Sequence, residues 1–188
     1  MKRIHLIAAL LALAASVAAQ TTPATTPAQP AAQTGPIKDP VSSTLRDILP
    51  GRQKNTIAAV EAMPVDKFNY KPSADQITFA HLVAHMVEAN YVLCSNAASV
   101  PAPKVEGVKD TDTKDKLVAG LKASFDFCAD ALSKMDDSKL GEMVGGSGGQ
   151  QLSRARYALG IASNWADHYA EAAMYLRLNG ILPPTAKK

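Results

Sequence analysis

Residues 163–184 read SNWADHYAEAAMYLRLNGILPP. Apolar and aromatic residues recur here at spacings of three and four: Trp165, Tyr169, Ala172 and Leu176 continue a stripe begun by Ala158 and Ala162. That period predicts one helix from Ser153 to Asn179 with a buried side. Its end is marked three times over. Gly180 suits the left-handed position just past a helix, Ile181 supplies the accompanying apolar contact, and Pro183-Pro184 forbid continuation. One histidine, His168, lies on the flank of the stripe, one turn after Asn164 and beside Asp167. A core-edge histidine satisfied by a neighbouring carboxylate and a metal ligand are the two readings of that position.

Working outward, three more segments carry the same period. The first runs from Asp39-Pro40, read as cap and first-position proline, to Met63, with Val41, Leu45, Ile48, Leu49, Ile57 and Val60 inward. Pro50-Gly51 interrupts it, so it is kinked there or starts there. The second begins at Thr78, an N-cap residue, and runs to about Ala98, with Phe79, Leu82, Val83, Met86, Val87, Asn90, Leu93 and Cys94 on one face. The third runs from Asp112-Thr113 to Met135 with Leu117, Leu121, Phe125, Cys128 and Leu132 inward. The segment GGSGG, residues 145–149, then reads as a flexible loop; without a following lysine or a preceding strand it is no phosphate cradle. Four helices of this length make an all-α four-helix bundle the expected fold.

The segment between the second and third helices carries Pro101 and Pro103. A helix of twenty residues rises ~30 Å, and ~15 extended residues span that distance back. The third helix can therefore run parallel to the second after a crossover. Cys94 and Cys128 lie at matching depths in their helices only in that arrangement. They read as a disulfide in an oxidising compartment, or else as two small buried hydrophobes.

The N-terminus supports that compartment. Lys2 and Arg3 precede an apolar run from Ile4 to about Ala15 and small residues to Ala19. This is the pattern of a signal peptide over 1–19, too short for a membrane anchor, and the mature protein is expected to be periplasmic or secreted. Residues 20–38, almost wholly Thr, Pro, Ala and Gln, are read as a disordered leader. That leaves one domain over 39–184 and a tail at 185–188. Without Lys2 and Arg3 the chain has 18 basic and 17 acidic residues, and no basic stripe marks a nucleic-acid partner.

Three histidines remain after the signal segment: His81, His85 and His168. His81 and His85 are four apart, but a lone HxxxH pair is a weak metal signal. His85 sits at the edge of the apolar stripe, and His81 is further round, toward solvent. No serine lies in a nucleophile-elbow context.

The stretches EAMPVDKFNYKPS (61–73), ITFAHLVAHMVEANYVLCS (77–95) and DHYAEAAMYLRLNGILPP (167–184), in this order and spacing, resemble the DinB/YfiT-like family, and most nearly its secreted, cysteine-containing members. The resemblance covers residues 39–184. It implies a bundle of up-down-down-up topology and a divalent metal, zinc or nickel, on three histidines. One of these matches His85 and one matches His168; the third falls at position 164, where this chain has Asn164. The third donor is then the Asn164 amide oxygen, or Asp167 or Glu171 rotated in; otherwise the site is degenerate and the two histidines line a polar pocket. The resemblance implies metal-dependent hydrolysis or thiol transfer on a small molecule. The other readings are a bundle that binds a ligand or partner without catalysis, and a homodimer through an exposed helix face.

Overall fold

A computed structural model describes residues 35–186 apart from Val105. The expected signal peptide, most of the expected leader and the last two residues of the tail lie outside the described residues. Four helices dominate: α1 (Pro40–Ala62), α2 (Phe79–Ala98), α3 (Lys114–Ser133) and α4 (Arg154–Leu178). Three begin at a hydroxyl cap. Thr78 accepts from the His81 N–H, Thr113 from the Lys116 N–H and Ser153 from the Arg156 N–H, each satisfying a donor that the first helical turn leaves free. At the end of α4, Gly180 has φ 74°, and the Ile181 and Gly180 N–H groups donate to the carbonyls of Leu176 and Arg177. That is the glycine-terminated closure expected from the sequence. Helix α3 ends two residues before the expected Met135, which is nonetheless buried.

The start of α1 departs from expectation. Asp39 adopts a left-handed conformation (φ 52°) and its side chain caps nothing in α1. The cap comes from Asp137, nearly a hundred residues on. One carboxylate oxygen accepts from Val41 N–H at 2.7 Å, the other from Ser42 N–H at 2.9 Å and from the Ser42 hydroxyl. The Asp39 carboxylate accepts from the Asp137 N–H, closing a reciprocal clasp. Burial acts to raise the Asp137 pKa, but the bonds from Ser42 and Val41 and the charge of Arg46 outweigh it and hold the group below 3.8. A depressed carboxylate pKa gives stability that is present above the unfolded value and lost as pH falls through the folded one. Asp137→Ala is expected to destabilise the fold by about 1 kcal/mol at neutral pH. The difference from wild type should shrink only below the ordinary carboxylate range, as read by urea melts at a series of pH values.

Helix α1 continues through Pro50 without a break. Pro50 is exposed, so the carbonyl one turn back loses its donor on a face where water can replace it.

Cross-helix bonds set the topology. Cys94 and Cys128 form a disulfide with Cα atoms 5.3 Å apart, and one turn earlier Asn90 Nδ2 donates to Ser124 Oγ. Both pairs advance in the same direction, so α2 and α3 are parallel and 99–113 is the crossover. Val108 of the crossover packs into the space left by Gly120, where an added Cβ would come within 2.6 Å of it. Between α2 and α4 the pairs run oppositely: Tyr175 OH donates to the Ile77 carbonyl, Trp165 Nε1 to Asn90 Oδ1 and Arg154 Nε to the Ala97 carbonyl. Between α1 and α3, Lys114 reaches the Met63 carbonyl while Arg46 reaches those of Leu132 and Met135, again antiparallel. The bundle is up-down-down-up.

The GGSGG loop is more ordered than its composition suggests. Strands β1 (Met143–Gly145) and β2 (Gln151–Ser153) pair antiparallel around it, with Val144 opposite Leu152. Gly148 and Gly149 take φ of 70° and 75°, which other residues adopt at a steric cost.

Candidate metal centre

The α2–α4 ladder that pairs Tyr175 with Ile77 and Trp165 with Asn90 brings His85 opposite His168. Their ring centroids are 4.9 Å apart and the planes nearly perpendicular, at 85°. His168 is half-buried with its Nδ1 3.3 Å from Glu171 Oε2, one turn further along α4. A carboxylate only accepts, so in the neutral ring this contact suits the tautomer with its proton on Nδ1, which leaves the Nε2 lone pair for another partner. His85 lies at the exposed mouth of the pair. Desolvation of its inner edge, and after that the adjacent His168, lower its pKa below 6.5, against the opposing charges of Glu88 and Glu171. Both effects favour the neutral ring that a metal ligand requires.

His81 stays on the solvent side, its Nδ1 3.2 Å from Asp110 of the crossover. Asn164 is half-buried and lines two adjoining spaces with His168. The inner one is a narrow void that also meets Thr56, Met86, Asn90, Phe125 and Trp165. The outer one is an open groove that Asp167 also lines. Asp167 is exposed, and the carboxylate beside His168 is that of Glu171.

Beneath the pair lies a buried polar layer that ties three helices together. Asn90 accepts from Trp165 and donates to Ser124, whose hydroxyl donates to the Leu121 carbonyl. On the α1 side, Thr56 Oγ1 is buried and has no hydrogen-bond partner among the described residues. An unpaired buried hydroxyl carries a desolvation cost of about 1–3 kcal/mol, and this one faces the void below His168 and Asn164. Thr56 was not a sequence candidate, and its only signal was a polar residue in the inward phase of α1. Arg154 was missed as well. Buried at the start of α4, it joins the Ala97 carbonyl to Glu142 at 2.8 and 2.9 Å and so fixes the register of α4 on α2.

Among the described residues no three His, Cys, Asp or Glu side chains come together in a set able to hold a metal. The imidazoles of His85 and His168 face each other, His168 has a carboxylate beside its Nδ1, and the Asn164 amide lines the same two spaces as His168. A carboxylate on the second nitrogen of a ligating histidine is the usual outer-shell arrangement of such centres. In donor chemistry the set fits a divalent ion bound by two nitrogens and an oxygen.

The comparisons with known proteins agree with this fold. No curated protein matches the sequence. A DinB-like protein of Bacillus subtilis of known structure superposes with a TM-score of 0.62 at 16% identity, over 77% of this chain and 99% of its own. A DinB-like protein of Bacillus cereus gives 0.56 at 14% identity, over 71% and 89%. A DinB family member of Shewanella denitrificans gives 0.53 at 17% identity, over 74% and 88%. At these identities the likeness speaks for the fold. The sequence pattern of the DinB superfamily matches residues 49–172, which run from Leu49 in the first half of α1 through most of α4, and on that match the chain belongs to the DinB superfamily.

Proposed function

We propose that this protein holds a divalent metal, zinc or nickel, on His85 and His168 with the Asn164 amide oxygen as third protein donor, and acts on a small molecule as a hydrolase or transferase. The observation that carries the reading is the facing pair His85–His168 with Glu171 on His168 Nδ1. A bound metal would supply Lewis-acid polarisation and a water of lowered pKa. The chain's own residues do the rest. Glu171 keeps the His168 Nδ1 proton in place, His85 stays neutral, and the Asn90–Trp165 layer holds α2 and α4 in register beneath them. Hydrolysis suits the proposed compartment better than thiol transfer, since low-molecular-weight thiols are scarce outside the cytoplasm.

The same proposal has residues 1–19 as a signal peptide, 20–38 as a leader and 39–184 as the exported domain, periplasmic or secreted. Two observations support it: the buried Cys94–Cys128 disulfide and the lack, among the described residues, of any helix long and apolar enough to cross a membrane. Leu159, Met174 and Leu178 are exposed on α4, and we assign to that face the homodimer contact.

Asn164 favours a second reading, in which the metal site is degenerate and the bundle binds a ligand or partner without catalysis. Zinc titration of the tag-free protein against a competing chelator separates the two. Glu171→Gln is expected to bind zinc about 10–100-fold more weakly than wild type with an unchanged melting temperature. Equal affinities in the two proteins would decide for the degenerate site.

A further inference from the structure

The outer groove has a cavity volume of about 310 Å³ and follows one face of α4 from Arg156 to His168. These residues are twelve positions apart, a rise of ~18 Å along the helix. The floor is Gly160 and Ser163, so the groove exists because α4 carries almost no side chain there. A Cβ on Gly160 would already stand 3.4 Å from Leu93 Cδ2 of the facing helix. Leu152 of β2 and Tyr157 wall the end near Arg156, whereas Asn164, Asp167 and His168 line the other.

The ends also differ in charge. Arg156 is exposed and, among the described residues, has no carboxylate within ion-pair distance. Its neighbour Arg154, two positions earlier, is buried and committed to Glu142 and the Ala97 carbonyl. Arg156 also stands in the first turn of α4, where the helix dipole attracts anions. Asp167 makes the far end repel an anion, so a charged ligand can lie in only one direction.

Resting on the metal-site reading, we propose that this groove binds an elongated small molecule with an anionic head on Arg156, an apolar middle against Leu152, Tyr157 and Leu93, and a polar ester- or amide-like end beside His168. Arg156 is then a specificity-determining residue, and the hairpin that carries Leu152 is one wall of the substrate site.

The test uses two probes of equal chain length, long enough to reach from the Arg156 guanidinium to the far end: monomethyl dodecanedioate, which has a carboxylate, and methyl omega-hydroxydodecanoate, which has none. Each is titrated calorimetrically into the tag-free protein, both zinc-loaded and stripped with chelator, and the perturbed amides are located by NMR. The wild type is expected to prefer the charged probe, with shifts over residues 157–168. Arg156→Glu should weaken that probe about tenfold or more and leave the neutral one unchanged. Arg156→Lys should retain part of the preference, and melting temperatures confirm that both variants are folded. A charged-probe preference that persists in protein unable to hold zinc would sink the metal reading and keep the groove. Zinc binding with no effect of Arg156→Glu, or no binding of either probe at millimolar concentration, would overturn the groove proposal alone.

Discussion

Asn164→His binds zinc about a hundredfold more tightly than the wild-type chain. The expectation follows from where position 164 lies. It precedes His168 by one helical turn, and Asn164 lines the same two spaces as His168, so an imidazole there would stand beside His168 on α4. Complete structural zinc sites are worth ~10–16 kcal/mol. One nitrogen ligand in place of a weak amide oxygen is then worth about 3 kcal/mol, a hundredfold in affinity. Asn164 is half-buried and the change adds only modest volume, so the melting temperature without metal should hardly move. Chelator-competition titrations measure the gain. An affinity equal to wild type would mean that the lone pairs of His85 and His168 do not converge with position 164.

Cys94→Ala/Cys128→Ala lowers the unfolding free energy by about 3–4 kcal/mol. The bridge joins residues separated by 34 positions, and closing a loop of that size in the unfolded chain accounts for that figure. Both cysteines are fully buried, so removal also leaves the α2–α3 seam short of two sulfur atoms. The bond crosses between parallel helices one turn from the Asn90–Ser124 contact, and that seam is the one the long crossover cannot hold by itself. Urea melts of the oxidised wild type, the reduced wild type and the double variant give the measurement. A loss under about 1 kcal/mol would show that loop closure contributes little here.

All four helices were legible in their period, and α2, α3 and α4 also at their ends. Thr78, Thr113 and Ser153 cap α2, α3 and α4, and Gly180 closes α4. The parallel α2–α3 pair was legible from the equal depth of two cysteines. Local pattern could not reveal contacts made across the chain. Asp137 caps α1 from 96 residues away, so the nearer Asp39 looked like the cap. The hairpin around Gly148 and Gly149 has three-residue strands, too short for alternation to register.

The site was legible in part. The phase of α2 set His85 on the flank near α4 and His81 toward solvent, and the structure pairs His81 with Asp110. The Glu171 contact is an i, i+3 pair and was open to sequence reasoning. Thr56 and Arg154 were not, because a buried polar side chain on an amphipathic helix looks like any other polar residue until its partners are known.

The central claim is that His85 and His168 form a metal centre and are not the remnant of one. Metal analysis of protein purified without an affinity tag, beside His168→Ala prepared in the same way, tests it most directly. The account predicts near-stoichiometric zinc or nickel in the wild type and its loss in the variant. Sub-stoichiometric metal in the wild type, unchanged by the substitution, would contradict it.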